Sequence, residues 1–120
     1  MDTSKEYIKM SDCLEVKNWF NEHYPLAHLK KLGGYGKNKA TDEHGNFWHL
    51  GKRKDLQLPR QDQIQEMIGD FSMVLPMLPR LERLDRKYSD IFTSMEQLWL
   101  AFYMYEKRGK TWDGKRWRPQ

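Results

Sequence analysis

The sequence lacks the features by which secreted and membrane proteins are usually recognised. It contains a single cysteine, Cys13, which cannot form an internal disulfide and is expected to be an ordinary thiol. No apolar run approaches the roughly 20 residues that a membrane-spanning helix needs. The opening residues Met-Asp-Thr-Ser-Lys-Glu form no apolar signal region. We therefore expect a cytoplasmic protein with no membrane partner.

The patterns of metal, nucleotide and acid–base sites are also lacking. His44 and His49 flank a turn with no cysteine nearby, whereas zinc sites show tighter Cys/His pairs. The glycine-rich stretch 32–46 has no Gly-Lys-Ser or Gly-Lys-Thr for a phosphate-binding loop. Asp62 and Glu66 lie one helical turn apart, but any amphipathic surface shows this spacing. We predict no metal, no cofactor and no catalytic residue.

What the sequence does contain is enough apolar and aromatic material for one modest core. Aromatic residues make up 13% of the 120 positions and hydrophobic residues 38%, whereas a disordered chain would be poor in aromatics. The 21 basic and 17 acidic residues give a formal charge of +4. Residues 106–120 hold six basic and two acidic residues, so this excess falls in the C-terminal segment. Length and composition predict a single domain over residues 1–120.

The strongest structural signal is an amphipathic helix from Ser94 to Arg108. Its apolar positions recur at helical spacing and leave little polar face: Met95, Leu98, Trp99, Phe102 and Tyr105, widened by Leu100, Ala101, Tyr103 and Met104. A capping box begins either at Thr93 or one residue later at Ser94, and Gly109 is the expected stop. A helix that is apolar nearly all round is packed on more than one side, so we expect it at the centre of the core.

Three further helices are expected upstream of this one. The first spans about residues 12–22, with Ser11 or Asp12 as its N-cap. Pro59 suits the first position of a second helix, whose apolar face is formed by Ile64, Met67, Ile68 and Phe71. A third covers residues 80–90, after a bend rich in proline.

The β structure is expected to be small. Residues 47–50 follow a turn and are rich in aromatics, which favours a strand. Its partner is placed at about residues 27–32, across a flexible glycine-rich loop over residues 32–46.

The Asp-Gly pair in the segment after the last helix predicts a hairpin. A two-residue type I′ turn there would set Trp112 opposite Lys115 and leave residues 118–120 as a tail. The whole pattern predicts an α+β fold, in which three to four helices pack around a central C-terminal helix with a small antiparallel sheet or hairpins.

Several stretches resemble segments of small proteins encoded by bacteriophages and prophages. They are Leu-Pro-Arg-Gln-Asp-Gln-Ile-Gln-Glu-Met at residues 58–67, Ser-Met-Glu-Gln-Leu-Trp-Leu-Ala-Phe at residues 94–102, Gly-Lys-Thr-Trp-Asp-Gly at residues 109–114, and Tyr-Ile-Lys-Met at residues 7–10. The resemblance implies a phage or prophage origin and the cytoplasm of a bacterial host. It implies no activity. Residues 20–54 depart from the pattern, and a partner surface could lie there.

Two groups of residues are candidates for binding. A helix N-terminus attracts anions and an arginine beside it can add a charge-assisted pair, which singles out Trp48, Arg60, Gln61 and Gln63. In the C-terminal hairpin, aromatics interleaved with cations suit stacking on bases and contact with phosphates: Lys110, Trp112, Lys115, Arg116 and Trp117. Structural roles describe both groups equally, since polar residues solvate a first helical turn and tryptophans cover a core.

The sequence predicts a phage- or prophage-derived accessory protein that binds a host or phage protein and is not an enzyme. Small size, the resemblance and the lack of a catalytic constellation motivate this hypothesis, of which inhibition of a host defence system is one version. The alternative is a nucleic-acid-binding protein that uses the basic Trp-containing hairpin. A small enzyme of unknown type is the second alternative.

Overall fold

The computed structural model describes residues 1–25, 36–88 and 90–120. These residues form an α+β fold, as predicted, with five helices of at least seven residues and two small antiparallel sheets. They cluster into two compact units: an N-terminal unit, Thr3–Arg60, and a C-terminal unit, Gln61–Gln120 together with Met1–Asp2. That residues 1–120 form a single domain remains a prediction, which this division into two units does not test.

The N-terminal unit opens with two helices, α1 (Lys5–Ser11) and α2 (Leu14–His23). The Ser4 hydroxyl caps α1 by accepting a hydrogen bond from the Tyr7 N–H at 3.2 Å. The expected cap of α2 at Ser11 or Asp12 is wrong. Ser11 closes α1 and is buried, so the cap position falls to Cys13, which makes no side-chain cap bond.

Three short strands form the sheet of this unit: β1 (Lys39–Thr41), β2 (Phe47–Leu50) and β3 (Asp55–Leu58). They pair antiparallel in the order β1-β2-β3, so Trp48 lies opposite both Ala40 and Gln57. The core of the unit, between these strands and the helices, contains fully buried residues from each: Tyr7, Met10, Val16, Phe20 and Leu58. The Tyr7 hydroxyl donates to the Pro59 carbonyl at 2.5 Å and ties α1 to the end of β3.

The partner expected for β2 was residues 27–32, which lie outside the described residues. Both edges of β2 are occupied by β1 and β3, so that pairing is wrong. β1 is the nearer segment, and the short loop between β1 and β2 costs less entropy to close than a long one. The stretch 32–46, expected as a flexible loop, therefore contains a strand in its described part.

The C-terminal unit is mostly helical. Its elements are α3 (Gln61–Ile68), α4 (Phe71–Val74), a 3-10 turn (Leu75–Met77), α5 (Leu78–Lys87), α6 (Met95–Arg108), β4 (Lys110–Trp112) and β5 (Trp117–Pro119). α3 buries Ile64 and Ile68, as their spacing predicted. Because α3, α5 and β4 all pack on α6, the C-terminal helix is the centre of this unit, as expected.

α6 has the ends that its sequence predicts. The Ser94 hydroxyl accepts from the Gln97 N–H at 3.1 Å, so the cap is the later of the two alternatives. Gly109 ends the helix in the left-handed conformation, with a φ of 63°. Every residue from 97 to 104 is buried. Burying one large apolar side chain contributes about 1.5–3 kcal/mol, which makes this stretch the main apolar core.

Asp2 adds an anion to the N-terminus of α6. Its carboxylate accepts from the Ser94 hydroxyl at 2.5 Å and from the Gln97 amide at 2.8 Å. Its own N–H donates to the Glu96 carboxylate at 3.0 Å. A negative group stabilises the positive end of the helix dipole, so Asp2 supports the cap that Ser94 begins.

β4 and β5 form the predicted hairpin with a longer turn. Trp112 pairs with Trp117, so the expected pairing of Trp112 with Lys115 is wrong. The Asp113 carboxylate accounts for the difference, because it accepts from the N–H groups of Lys115 at 2.8 Å and Arg116 at 2.9 Å. These bonds close a four-residue loop, Asp113 to Arg116, in place of a two-residue turn.

The last residues also belong to this hairpin. Thr111 pairs with Arg118 and Lys110 with Pro119. The N–H of Gln120 then donates to the Gly109 carbonyl at 2.9 Å. Residues 118–120, expected as a tail, are therefore tied to the backbone at the end of α6.

Candidate functional site

The two tryptophans of the hairpin take part in packing within the C-terminal unit. The rings of Trp112 and Trp117 lie 5.0 Å apart between centroids. Trp112 is only 9% exposed and lines a cavity of about 10 Å³ with side chains of α5 and α6 and of Phe92. Lys110 and Trp117 are half-buried. Trp112 therefore completes the core beside α6 and has no open face on which a base could stack.

The exposed cations of the hairpin are Lys115 and Arg116. The third, Arg118, pairs with the Asp113 carboxylate. That bond, with the N–H groups of Arg116 and Lys115, holds the pKa of Asp113 well below its usual range. The C-terminal unit as a whole contains ten basic and ten acidic residues, so the positive charge of its last segment is balanced within the unit.

Arg60 and Trp48, from the first predicted group, both hold the loop between β1 and β2. The guanidinium of Arg60 donates to the Gly45 carbonyl at 2.6 Å. The indole N–H of Trp48 donates to the Asp42 carboxylate at 2.9 Å. Their polar groups are engaged by this loop, a structural role that differs from the solvation of a helical turn that the sequence offered as the alternative.

Asp42 is the buried anchor of that loop, with 2% exposure. Its carboxylate also accepts from the N–H groups of His44 at 2.8 Å and Asn46 at 3.0 Å. Burial alone would raise the pKa of Asp42. The hydrogen bonds from Trp48, His44 and Asn46 outweigh burial and hold this pKa below the usual aspartate value.

Gln61 and Gln63 belong to the C-terminal unit, in the first turn of α3. Gln61 is half-buried, whereas Gln63 is 1% exposed and lies in the core. Gln63 therefore presents no surface to an external ligand. Of the first predicted group, two residues serve a loop of the N-terminal unit and one is core of the C-terminal unit.

Two of the four cations of α5 are paired along the helix surface. Arg80 contacts Glu106 of α6 at 2.7 Å, and Arg86 contacts Glu82 at 2.5 Å. A groove of about 240 Å³ runs beside them, with Arg83 and Lys87 on its basic side. Exposed ion pairs contribute little to stability. Because acidic and basic side chains alternate here, this face has mixed charge and is not a continuous positive surface.

An open apolar cleft of the C-terminal unit was not predicted. We call it the Trp99 cleft: a cavity of about 480 Å³ lined by Asp62, Gln65, Glu66, Gly69, Val74, Leu75, Leu78 and Trp99. Leu75 is 46% exposed, Leu78 38% and the neighbouring Met73 44%. Cavities of about 300–1,000 Å³ are typical of binding sites, and clustered apolar exposure marks contact surfaces.

Trp99 gives this cleft a polar group. Its side chain is buried, with 4% exposure, and its indole N–H has no hydrogen-bond partner among the described residues. A buried donor left unsatisfied costs about 1–3 kcal/mol. The rim carries the carboxylates of Asp62 and Glu66, one turn apart on the exposed side of α3. The cleft therefore combines an apolar floor and a negative edge, and one of its lining residues carries a buried, unsatisfied donor.

Sequence reasoning missed this cleft for an identifiable reason. The apolar run from Met73 to Pro79, with its two prolines, was predicted to be a buried bend or a kinked helix end. Pro76 instead shapes a 3-10 turn that leaves Leu75 and Leu78 partly exposed. Whether such a turn faces a core or solvent depends on where α6 lies, which no local pattern states.

Within residues 1–25, 36–88 and 90–120, no three His, Cys, Asp or Glu side chains are grouped to hold a metal ion. In the same residues, no helix has the length and apolar content to cross a membrane. The sequence matches the profile of no known protein family and no curated protein, and the structure matches no solved structure.

Proposed function

We propose that this chain is a non-enzymatic binding module that receives a basic amphipathic helix of a partner protein in the Trp99 cleft. The observation that carries the proposal is the unpaired, buried indole N–H of Trp99 in an open apolar cleft. The resemblance to small phage and prophage proteins supports an accessory role, with a host or phage protein as the partner.

The apolar floor supports a helical occupant. An amphipathic helix binds by laying side chains at i, i+3, i+4 and i+7 into a groove between packed helices. Leu75 and Leu78 offer partly exposed apolar surface at such a groove, beside Val74. Covering this surface removes it from water, which favours association by about 25 cal/mol per Å² of apolar area.

The rim and the indole support a basic occupant that docks by its C-terminal turn. The last carbonyls of a helix lack internal donors, so one of them is a suitable acceptor for the Trp99 N–H. Cations are favoured in the same turn of a helix by its dipole. Lysines there would face Asp62 and Glu66, since no basic residue is among the described residues that line the cleft.

A synthetic amphipathic peptide tests the proposal directly. It carries leucine at positions i, i+3, i+4 and i+7 and lysines in its last turn, and a matched peptide carries glutamates instead. In a titration of the ¹⁵N-labelled protein, we expect the Trp99 indole signal to shift and to saturate. The lysine peptide should bind at least about tenfold more tightly than the glutamate peptide, a difference of about 1.4 kcal/mol.

Two substitutions of exposed leucines provide the matched control. Leu75→Lys places a cation on the floor of the cleft and should abolish the shift. Leu14→Lys makes the same change at a position that is 70% exposed in the N-terminal unit and should leave binding unchanged. Equal binding of the two peptides, or equal loss from the two variants, would show that the cleft is not the site.

A further inference from the structure

A second pocket lies wholly in the N-terminal unit, between α2 and β3, and encloses about 240 Å³. The half-buried ring of Trp48 gives it an aromatic wall, Phe20 lies at its base with 1% exposure, and Ser11, Asn21 and Gln57 contribute polar groups. Sites for drug-sized ligands usually measure about 300–1,000 Å³. A pocket slightly smaller than these suits one planar ring system with polar edges.

Two polar atoms of this pocket are buried without a hydrogen-bond partner in the described structure: Ser11 Oγ and Gln57 Nε2. Ser11 as a residue is 1% exposed. An unsatisfied buried polar group destabilises the fold, and native proteins nearly always give such groups a partner. A ligand that presents an acceptor to Gln57 and a hydrogen-bonding atom to Ser11 removes both penalties at once.

The edge of the pocket carries charges of both signs. Lys17 lines it, and the carboxylate of Asp12 is shared between Lys17 at 3.1 Å and Lys54 at 2.8 Å. Asp55 also lines the pocket, so two carboxylates balance these two cations.

Further cations gather at the same end of the sheet. The register pairs Lys39 with His49 and Leu50 with Asp55, which brings together the start of β1, the end of β2 and the start of β3. We call the cations at this end the basic sheet end: Lys37, Lys39, Lys52 and Arg53. None of their side chains forms an ion pair with a described residue.

The turn that presents two of these cations is tightly built. A Cβ at Gly51 would collide with the Lys54 carbonyl oxygen. Gly51 therefore lets the chain close between β2 and β3 with Lys52 and Arg53 exposed at the tip. Lys54 follows them, and Asp55 of the pocket comes next, so the basic turn adjoins the pocket edge.

We propose that the N-terminal unit binds a single-stranded nucleic acid, with one base in the pocket between α2 and β3 and phosphates on the basic sheet end. The half-buried ring of Trp48 can stack on a base, and side-chain amides and hydroxyls bond to the exposed edge of that base. Cations beside the pocket neutralise the backbone. This unit contains eleven basic and seven acidic residues, so it holds the whole net charge of +4.

A single strand fits these features better than other anionic partners. An anionic membrane would meet the basic sheet end but leave Ser11 and Gln57 without partners. A duplex keeps its bases stacked and paired, so it presents phosphates but no free edge to the pocket. The combination of a polar, aromatic pocket with unpaired cations therefore points to unstacked bases.

Binding of fluorescein-labelled 15-nucleotide homopolymers of each base, measured by anisotropy, tests this proposal. We expect one homopolymer to bind best and a duplex to bind at least about tenfold more weakly. The affinity should fall steeply between low and moderate salt. The paired change Lys52→Ala with Arg53→Ala should reduce the slope of log K against log salt by about 1.4, at about 0.7 per phosphate contact on a single strand.

The pocket is tested by a variant that leaves the charge unchanged. Gln57→Leu should weaken the preferred homopolymer about tenfold, compress the preference among bases, and leave the salt slope as it is. Because it removes an unpaired donor, this change should not unfold the protein, which thermal melting checks. Alanines at Lys115 and Arg116, the exposed cations of the hairpin, are the matched control and should change nothing.

Three outcomes would overturn the proposal. They are equal affinity for duplex and single strand with no effect of Gln57→Leu, preferential binding to vesicles that contain phosphatidylserine, and no binding of any oligonucleotide at low salt. The Trp99 cleft belongs to the other unit, so peptide binding there can succeed or fail independently of this result.

Discussion

The two units of this chain are stabilised in different ways. The C-terminal unit is organised by α6, whose buried stretch from Gln97 to Met104 offers α3, α5 and β4 a common packing surface. The N-terminal unit has short helices and strands of three or four residues, and it buries the charged side chain of Asp42 to hold its first hairpin. The comparison teaches that the unit with a long apolar helix buries, among its described residues, only uncharged polar side chains, Gln63 and Gln97, whereas the unit with the small sheet buries a carboxylate.

The units also differ in what they leave exposed. The C-terminal unit has balanced charge and an apolar cleft with partly exposed leucines. The N-terminal unit carries the net positive charge, and its pocket is lined by polar and aromatic side chains. We therefore assign the proposed protein contact to one unit and the proposed nucleic-acid contact to the other.

The largest expected effect tests the apolar core around α6 in the C-terminal unit. Phe102→Ala removes a ring that is 2% exposed at the centre of α6 and leaves a cavity. We expect a loss of about 3–5 kcal/mol in the free energy of unfolding, measured by urea denaturation. Lys107→Ala, an exposed change on the same helix, should stay within about 0.5 kcal/mol. A loss below about 1 kcal/mol for Phe102→Ala would show that α6 does not organise this core.

The next largest effect tests Asp42, the buried polar anchor of the N-terminal unit. Asp42→Asn replaces one carboxylate oxygen with an NH₂ group, which would face the indole N–H of Trp48, another donor. Because hydrogen bonds to a charged group are worth about 1.5–3 kcal/mol, we expect a loss of about 2 kcal/mol by urea denaturation. Asp90→Asn changes an exposed aspartate outside the helices and is the control. Equal stability of the two variants would contradict the role given to Asp42.

The pH dependence of unfolding tests the same role of Asp42. The pKa of Asp42 is lowered in the folded protein, so this carboxylate stabilises the fold fully above its unfolded pKa of about 3.9. That contribution is lost as the pH falls through the lower folded pKa. Between pH 6 and 3, the stability gap between the wild type and Asp42→Asn should therefore narrow. A gap that stays constant over this range would contradict a lowered pKa.

A smaller effect compares the helix caps of the two units. Ser94→Ala removes the cap of the 14-residue α6 and a donor to Asp2, whereas Ser4→Ala removes the cap of the seven-residue α1. Cap removal costs about 0.5–2 kcal/mol. We expect Ser94→Ala at the upper end and Ser4→Ala at the lower end, by thermal melting. The reverse order would show that the Asp2 contact adds nothing to the cap.

The smallest effect concerns the hairpin turn, where all groups are exposed. Asp113→Ala removes the acceptor for the N–H groups of Lys115 and Arg116. Amide hydrogen exchange at these two residues should speed up several-fold, with no measurable change in overall melting. The Asp113 carboxyl should also finish its NMR titration below the usual aspartate range, because its pKa is lowered mainly by Arg118. Unchanged exchange would favour a turn held by Gly114 alone.

The sequence indicated the helices well and the sites poorly. The N-terminus of α6 at Ser94 and its end at Gly109 were predictable because capping depends on residues within one turn of each other. The candidate residues Arg60, Trp48 and Trp112 were chosen for their chemistry. Their contacts to Gly45, Asp42 and the α6 core come from residues 6 to 15 or more positions away. These contacts engage the Arg60 guanidinium, the Trp48 indole N–H and the Trp112 ring, whereas the Trp48 ring lines the pocket of the N-terminal unit.

By itself, the sequence determined the α+β class, the position and ends of α6, and the existence of a C-terminal hairpin, since periodicity, caps and turn residues act locally. Only the tertiary structure decided that β1 rather than residues 27–32 pairs with β2, and that Trp112 faces Trp117. It also decided which polar atoms are buried without partners. These outcomes depend on which segments, distant in sequence, pack against each other. The free energy of that packing cannot be read from any local sequence pattern.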